Sequence, residues 1–220
     1  MEKEVLGLAD LVAPGAVCLD VGAEFGLYTH VLADLVGPAG AVHAFEPQSG
    51  ARRWLALGVR AAGAPWIHVH REALGATTGT ATLSVPRRRG RPVHGRAFVT
   101  VGARDEGPNV EFADRRHETI TMTTVDAFVD ELGLARVDLV KVDVEGAEAA
   151  LLDGAAETLA RHRPHLLLEI EDRHTAKFGV DGAGIVDRLG ALRYRAHVWD
   201  DGWRAVDSLV PDERNYLFHP

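Results

Sequence analysis

Hydrophobic positions along this chain follow two alternating rhythms. Near-continuous apolar runs occur at "AVCLDVG" (16–22), "AVHAFEP" (41–47), "VDLVKVDVEG" (137–146) and "PHLLLEIE" (164–171). Runs of this length and composition suit strands buried on both faces of a parallel sheet. "WIHVHRE" (66–72) alternates as a further strand. Between these lie segments with helical spacing, "YTHVLADLVG" (28–37), "SGARRWLALGVRAAG" (49–63) and "EAALLDGAAETLARH" (148–162). Repeated strand–helix units predict a doubly wound, mostly parallel α/β sandwich. The rhythm breaks between residues 73 and 123. There "GTATLSVP" (79–86), "RAFVTVG" (96–102) and "HETITMTTV" (117–125) predict short strands, and hence a β-rich insertion. "RYRAHVWDDGWRAVD" (193–207), with "NYLFHP" (215–220), predicts a C-terminal antiparallel hairpin turning at Asp201-Gly202.

Composition narrows the class without changing this picture. At 220 residues the whole chain reads as one domain with a sizeable core. No apolar run approaches the roughly 20 residues that span a bilayer, and no secretory signal is expected, so a cytoplasmic setting and no membrane contact are the default. Cys18, the only cysteine, sits in an apolar strand and reads as a packed small hydrophobe. A net charge of −8 argues against nucleic acid as a partner. The basic run "RRRGRPVHGR" (87–96) is the local exception. It reads as a solvated loop, or as part of a lid over 86–117 that recruits an anionic or sugar-bearing substrate.

The turn after the first strand, "DVGAEFGLYT" (20–29), narrows the chemistry. A dinucleotide-binding G-x-G-x-x-G starting at Gly22 needs glycines at positions 24 and 27, where this chain has Glu24 and Leu27. A carboxylate at that point repels a pyrophosphate. No Lys-Ser or Lys-Thr follows, so a P-loop fails too. S-adenosylmethionine (SAM) suits the turn. It lacks phosphate, its sulfonium and amino groups are cationic, and its small carboxylate needs only backbone N–H donors. Glu46, ending the second strand, is placed to accept hydrogen bonds from ribose hydroxyls. Glu72 and Ala73 follow the third strand, where adenine would lie.

The segments "DVGAEFGLYT", "AFEP" (44–47), "EALGATTGTATLSVP" (72–86), 123–174 with "VDLVKVDVEGAE" and "RPHLLLEIE", and "NYLF" (215–218) resemble the FkbM-type family of SAM-dependent methyltransferases over nearly the whole chain. Family members generally carry asparagine where this chain has Glu24. The resemblance implies a class I, Rossmann-like, seven-stranded fold that binds SAM, with Asp20, Gly22, Glu24, Gly26, Tyr28, Thr29, Glu46, Pro47, Glu72, Ala73 and Asp143 around the cofactor. Many members have a helical extension before the first strand. Here only "MEKEVLGLADLVAPG" precedes it, so cover for the site is expected from 86–117 or from a partner chain, as in a homodimer.

In open α/β sheets ligands bind at the carboxyl ends of the strands. Asp143 ends the fourth such strand, and a place beside the methyl donor is expected for it. The fifth runs into "EIEDRH", which brings Glu169, Glu171 and His174 to the same edge. A hydroxyl acceptor needs a base, and histidine is suited to taking a proton near neutral pH. His174 is that candidate, with Glu169 or Glu171 to hold its tautomer. Asp143, Glu169 and Glu171 could also hold Mg²⁺, although no compact metal signature accompanies them. The expected activity is SAM-dependent O-methylation of a small-molecule acceptor, a sugar moiety or polyketide-like secondary metabolite. Small-molecule N-methylation and a non-catalytic, SAM-binding regulator are the alternatives.

Overall fold

A computed structural model describes residues 2–88, 91–92, 97–103 and 114–220. The first strand, β1 (Val17–Val21), pairs in parallel with β2 (Ala41–Phe45), and β2 with β3 (Ile67–His70). On its other side β1 pairs in parallel with β9 (Leu139–Val142), and β9 with β10 (His165–Glu169). The strand order therefore reverses between β1 and β9, the switch point where open α/β sheets bind ligands. Beyond β10, β13 (Asn215–His219) runs antiparallel and separates it from β11 (Arg195–Trp199). β12 (Trp203–Ala205) closes the edge as the eighth strand, one more than the seven expected. The β11–β12 turn is the expected one, with Asp201 and Gly202 both at positive φ.

Alternate residues of the parallel strands point to opposite layers, which is why their sequences read as unbroken apolar runs. Leu166 and Leu168 pack with α3 (Val125–Leu132), α4 (Glu148–Asp153), α5 (Ala156–His162) and α7 (Gly182–Ala191). Leu167 and Cys18 pack with α1 (Leu27–Val36) and an N-terminal 3-10 helix (Lys3–Asp10). Where one helix was expected over 148–162, the chain forms α4 and α5. A Cβ at Gly154 would sit 2.1 Å from the Gly75 carbonyl, and the Gly154 carbonyl accepts the Asp126 N–H at 2.9 Å. The Asp126 carboxylate in turn accepts the Glu157 and Thr158 N–H groups, giving α5 its own cap.

The irregular stretch is a second sheet. β5 (Gly79–Arg88) and β8 (Asp114–Thr123) form a long antiparallel ladder from Gly79↔Met122 to Arg87↔Asp114. β4 (Ala73–Leu74) extends it beyond β8, while β6 (Arg91–Pro92) and β7 (Phe98–Val99) add to β5. Its period-two apolar face, Ala81, Leu83, Val85, Ile120 and Met122, is buried. Of the expected lid over 86–117, the described ends continue β5 and β8. Residues 89–90, 93–96 and 104–113, with much of the basic run, lie outside the described residues.

Candidate active site

A cleft of about 250 Å³ lies over the carboxyl ends of β1, β2 and β9, between the two sheets. The second sheet supplies its apolar wall, with Leu83, Phe98, Val99 and Met122. The main sheet supplies five carboxylates, Glu24, Glu46, Glu72, Asp143 and Glu145. No lysine or arginine lines it among the described residues.

The acids stand on built turns. Gly22, at φ 79°, carries the chain over β9 so closely that a Cβ there would lie 1.8 Å from the Asp143 carbonyl. Any side chain is therefore excluded by sterics as well as by backbone conformation. Glu24 follows in the left-handed region at φ 48°, and its N–H donates to Glu46 Oε2 at 2.9 Å. Glu46 Oε1 accepts the Gln48 N–H at 2.7 Å. This carboxylate thus ties the turn after β1 to the end of β2. Burial pushes Glu46 up to about 7 despite those two bonds. Burial also raises Glu24, with the Asp143 charge next in weight. A second acid at positive φ, Glu145 at 56°, stands after β9. Bulky residues seldom adopt this conformation, and both of these acids line the cleft.

Behind the cleft runs a buried charge ladder. Lys141 Nζ lies 3.3 Å from Asp143 Oδ2, 4.0 Å from Asp20 Oδ1, and 4.6 Å above the Tyr28 ring. Asp20 Oδ2 accepts the Thr29 hydroxyl at 2.5 Å. The Tyr28 hydroxyl lies 2.6 Å from Glu2 and against buried Glu4, so the N-terminal 3-10 helix packs onto the same ladder. Burial alone would raise Asp143, but Lys141 and a hydrogen bond from Glu169 bring it below its ordinary value. Glu169 is pushed up to about 10 by burial and then by Asp143, so Asp143 carries the charge of that pair and Glu169 the proton.

Over residues 20–196 the chain matches the model of the methyltransferase FkbM domain. It belongs to the FkbM methyltransferase family. Its sequence is 29% identical to part of the AMB antimetabolite synthetase AmbE of Pseudomonas aeruginosa, over 94% of this chain and 10% of that protein. The chain thus spans about a tenth of the length of that curated relative. Among solved structures it is similar to the FkbM methyltransferase of Methylobacillus flagellatus, at 16% identity and a TM-score of 0.55, over 98% of this chain and 50% of that one. It is also similar to a SAM-dependent O-methyltransferase of Thermotoga maritima, at 15% identity and a TM-score of 0.51, over 99% of this chain and 64% of that one. These likenesses show the shared fold.

In this FkbM-family chain, Gly22, Glu24, Glu46, Pro47, Glu72, Ala73 and Asp143 line the cleft. Asp20, Tyr28 and Thr29 lie behind it in the ladder, and Gly26 packs against Leu55 of α2 (Ser49–Ala62). His174 is buried on α6 (Asp172–Thr175), and its Nδ1 lies 2.9 Å from Glu145 Oε2. The carboxylate that orients it is therefore Glu145. Glu169 is engaged with Asp143, and Glu171 is held by Arg173 and by Arg214 at 3.1 Å. Gly146 makes the His174–Glu145 contact feasible, since a Cβ there would come within 2.4 Å of the His174 carbonyl. Glu145 is a site residue that the sequence analysis does not single out. Its signal is an acid within two residues of a glycine in the turn after both β1 and β9. Among the described residues no three His, Cys, Asp or Glu side chains converge in a way that could hold a metal ion, and no helix is long and apolar enough to cross a membrane.

Proposed function

We propose that this chain transfers a methyl group from SAM to a hydroxyl of a small-molecule acceptor, a sugar moiety or a polyketide-like secondary metabolite. The observation that carries this reading is a cleft lined by five carboxylates and, among the described residues, no lysine or arginine, with His174 Nδ1 in contact with one of those acids, Glu145. Such a lining favours a cationic, phosphate-free adenosine compound and opposes a pyrophosphate. SAM fits this donor set. Glu46 would hold the ribose hydroxyls with its remaining lone pairs, Asp143 and Glu24 would hold the cationic end, and Leu83, Phe98 and Met122, with Glu72 and Ala73, would hold the adenine. When bound, SAM supplies an electrophilic methyl carbon on sulfur.

Glu145 accepts the His174 Nδ1–H, which leaves Nε2 as the nitrogen with a free lone pair. Nε2 takes the acceptor's proton as the oxygen attacks, a contribution of about 10²–10⁴-fold. Holding the acceptor oxygen in line contributes more, roughly 7–11 kcal/mol. The acidic net charge supports a small molecule over a nucleic acid, and a cytoplasmic enzyme, alone or as a homodimer, is the setting proposed.

The test is incubation with SAM and a panel of glycosylated and macrocyclic alcohols, with and without chelator, followed by product mass. A gain of one methyl on oxygen is expected. His174→Ala should lose at least about 10²-fold in turnover and keep its SAM affinity. Methylation on nitrogen, or full turnover in that variant, would contradict the assignment.

A further inference from the structure

Four of the five carboxylates that line the cleft are engaged within the protein. Glu46 accepts the Glu24 and Gln48 N–H groups, and Glu72 lies 3.4 Å from Arg71 Nε. Asp143 faces Lys141, and Glu145 meets His174. Glu24 differs. Its N–H is bound, but among the described residues its carboxylate has no hydrogen-bond or ion-pair partner. The chain holds this acid in place against two penalties. At φ 48° its backbone is in the left-handed region, which asparagine or glycine adopts more readily than glutamate. Burial and then the Asp143 charge oppose its ionisation, and the Glu145 charge adds to them. A half-buried carboxylate with no partner in the protein leaves one negative charge for a ligand to answer.

The cofactor's net charge is the one it loses in the reaction. At the amino-acid end of SAM the ammonium and the carboxylate offset each other, so the sulfonium supplies the net positive charge. When the methyl–sulfur bond breaks, its electron pair stays on sulfur and the sulfonium becomes a neutral thioether. The methyl joins the acceptor oxygen, and the acceptor's proton passes to His174. No lysine or arginine among the described residues lines the cleft to replace the lost charge. Resting on the methyltransferase reading, we propose that Glu24 is a specificity-determining residue that makes the cleft prefer SAM over S-adenosylhomocysteine, so that turnover itself loosens the spent cofactor. Asp143 and Glu145 contribute less to this preference, because Lys141 and His174 already answer them.

Three matched ligands test this by calorimetric titration into the full chain: SAM, S-adenosylhomocysteine, and sinefungin, a stable analogue whose amine keeps a positive charge at the sulfonium position. SAM and sinefungin should each bind about tenfold or more tightly than S-adenosylhomocysteine, as expected for a charge answered in a partly desolvated cleft. Glu24→Gln should cut that preference about tenfold by weakening the two cations, leaving S-adenosylhomocysteine within about threefold of its affinity for the unmodified chain. Glu24→Asp, which keeps the charge, should retain most of the preference. Glu24→Asn should lose it as Glu24→Gln does, yet melt about 2–4 °C higher because asparagine suits the left-handed turn, a gain that a merely structural glutamate would not give. Equal affinity for SAM and S-adenosylhomocysteine in the unmodified chain, or an undiminished preference in Glu24→Gln and Glu24→Asn, would overturn the proposal. So would a loss shared equally by all three ligands, which would place Glu24 on the α-amino group they have in common. Binding of none of the three by the unmodified chain would instead sink the methyltransferase reading.

Discussion

On β1 and β9, Asp20, Lys141 and Asp143 keep their polar groups in a buried ladder in which a lysine answers two carboxylates. One strand over, on β2 and β3, His43, His68 and His70 are stacked face to face. The His43 ring lies 5.0 Å from His68 and 5.3 Å from His70, and His43 Nδ1 is 3.1 Å from His70 Nε2. Phe128 of α3 covers this stack edge-on. Burial penalises charge in both places. In the ladder a counter-charge is within reach, so Lys141 stays above its ordinary value although burial opposes it. His43 has no such partner, and burial, then His70 and His68, pushes it down to about 4. The same sheet thus holds a Lys141–Asp143 pair that stays ionised beside the cleft and a buried histidine, His43, that gives up its charge and behaves as core.

The largest effect that can break this comparison is at Lys141. Lys141→Ala leaves Asp20 and Asp143 without a cation, and a loss of about 3–5 kcal/mol is expected in denaturant unfolding. A loss under about 1 kcal/mol would mean that the ladder is not held by charge. Next comes Asp143→Asn, which keeps the shape and removes the charge. SAM affinity should fall about 10- to 100-fold by calorimetry, while Glu169, already protonated, needs no new partner.

A smaller effect sharpens the histidine side. Because the folded pKa of His43 is depressed, the unfolded chain takes up the proton first as pH falls. Stability should therefore drop between about pH 6.5 and pH 4, by on the order of 2 kcal/mol. His43→Leu should flatten that slope in urea unfolding measured from pH 7 to pH 4. An unchanged slope would place the acid sensitivity elsewhere.

The strands that carry the ladder were legible because two-sided burial writes itself as unbroken apolar runs, as in "AVCLDVG" and "PHLLLEIE". The acid in the first turn was legible as a mismatch with pyrophosphate chemistry, and the structure places Glu24 on the cleft with its N–H bound to Glu46. What was not legible depends on contacts between distant segments. The break at Gly154 is set by Gly75 and Asp126, and the orientation of His174 by Glu145 across from α6. The apolar wall of Leu83, Phe98 and Met122 exists only because the β insertion folds back over the main sheet. The pairing of Arg214 with Glu171 likewise joins distant segments, and no local periodicity announces it. The β11–β12 hairpin, by contrast, was legible from its Asp201-Gly202 turn, although β12 itself is only three residues long.

Electrostatic selection by the cleft can be measured directly, by titrating SAM and then NAD into the same protein in a calorimeter at moderate salt. Saturable one-to-one binding of SAM with no heat from NAD is the expected result. Binding of NAD without binding of SAM would contradict the account.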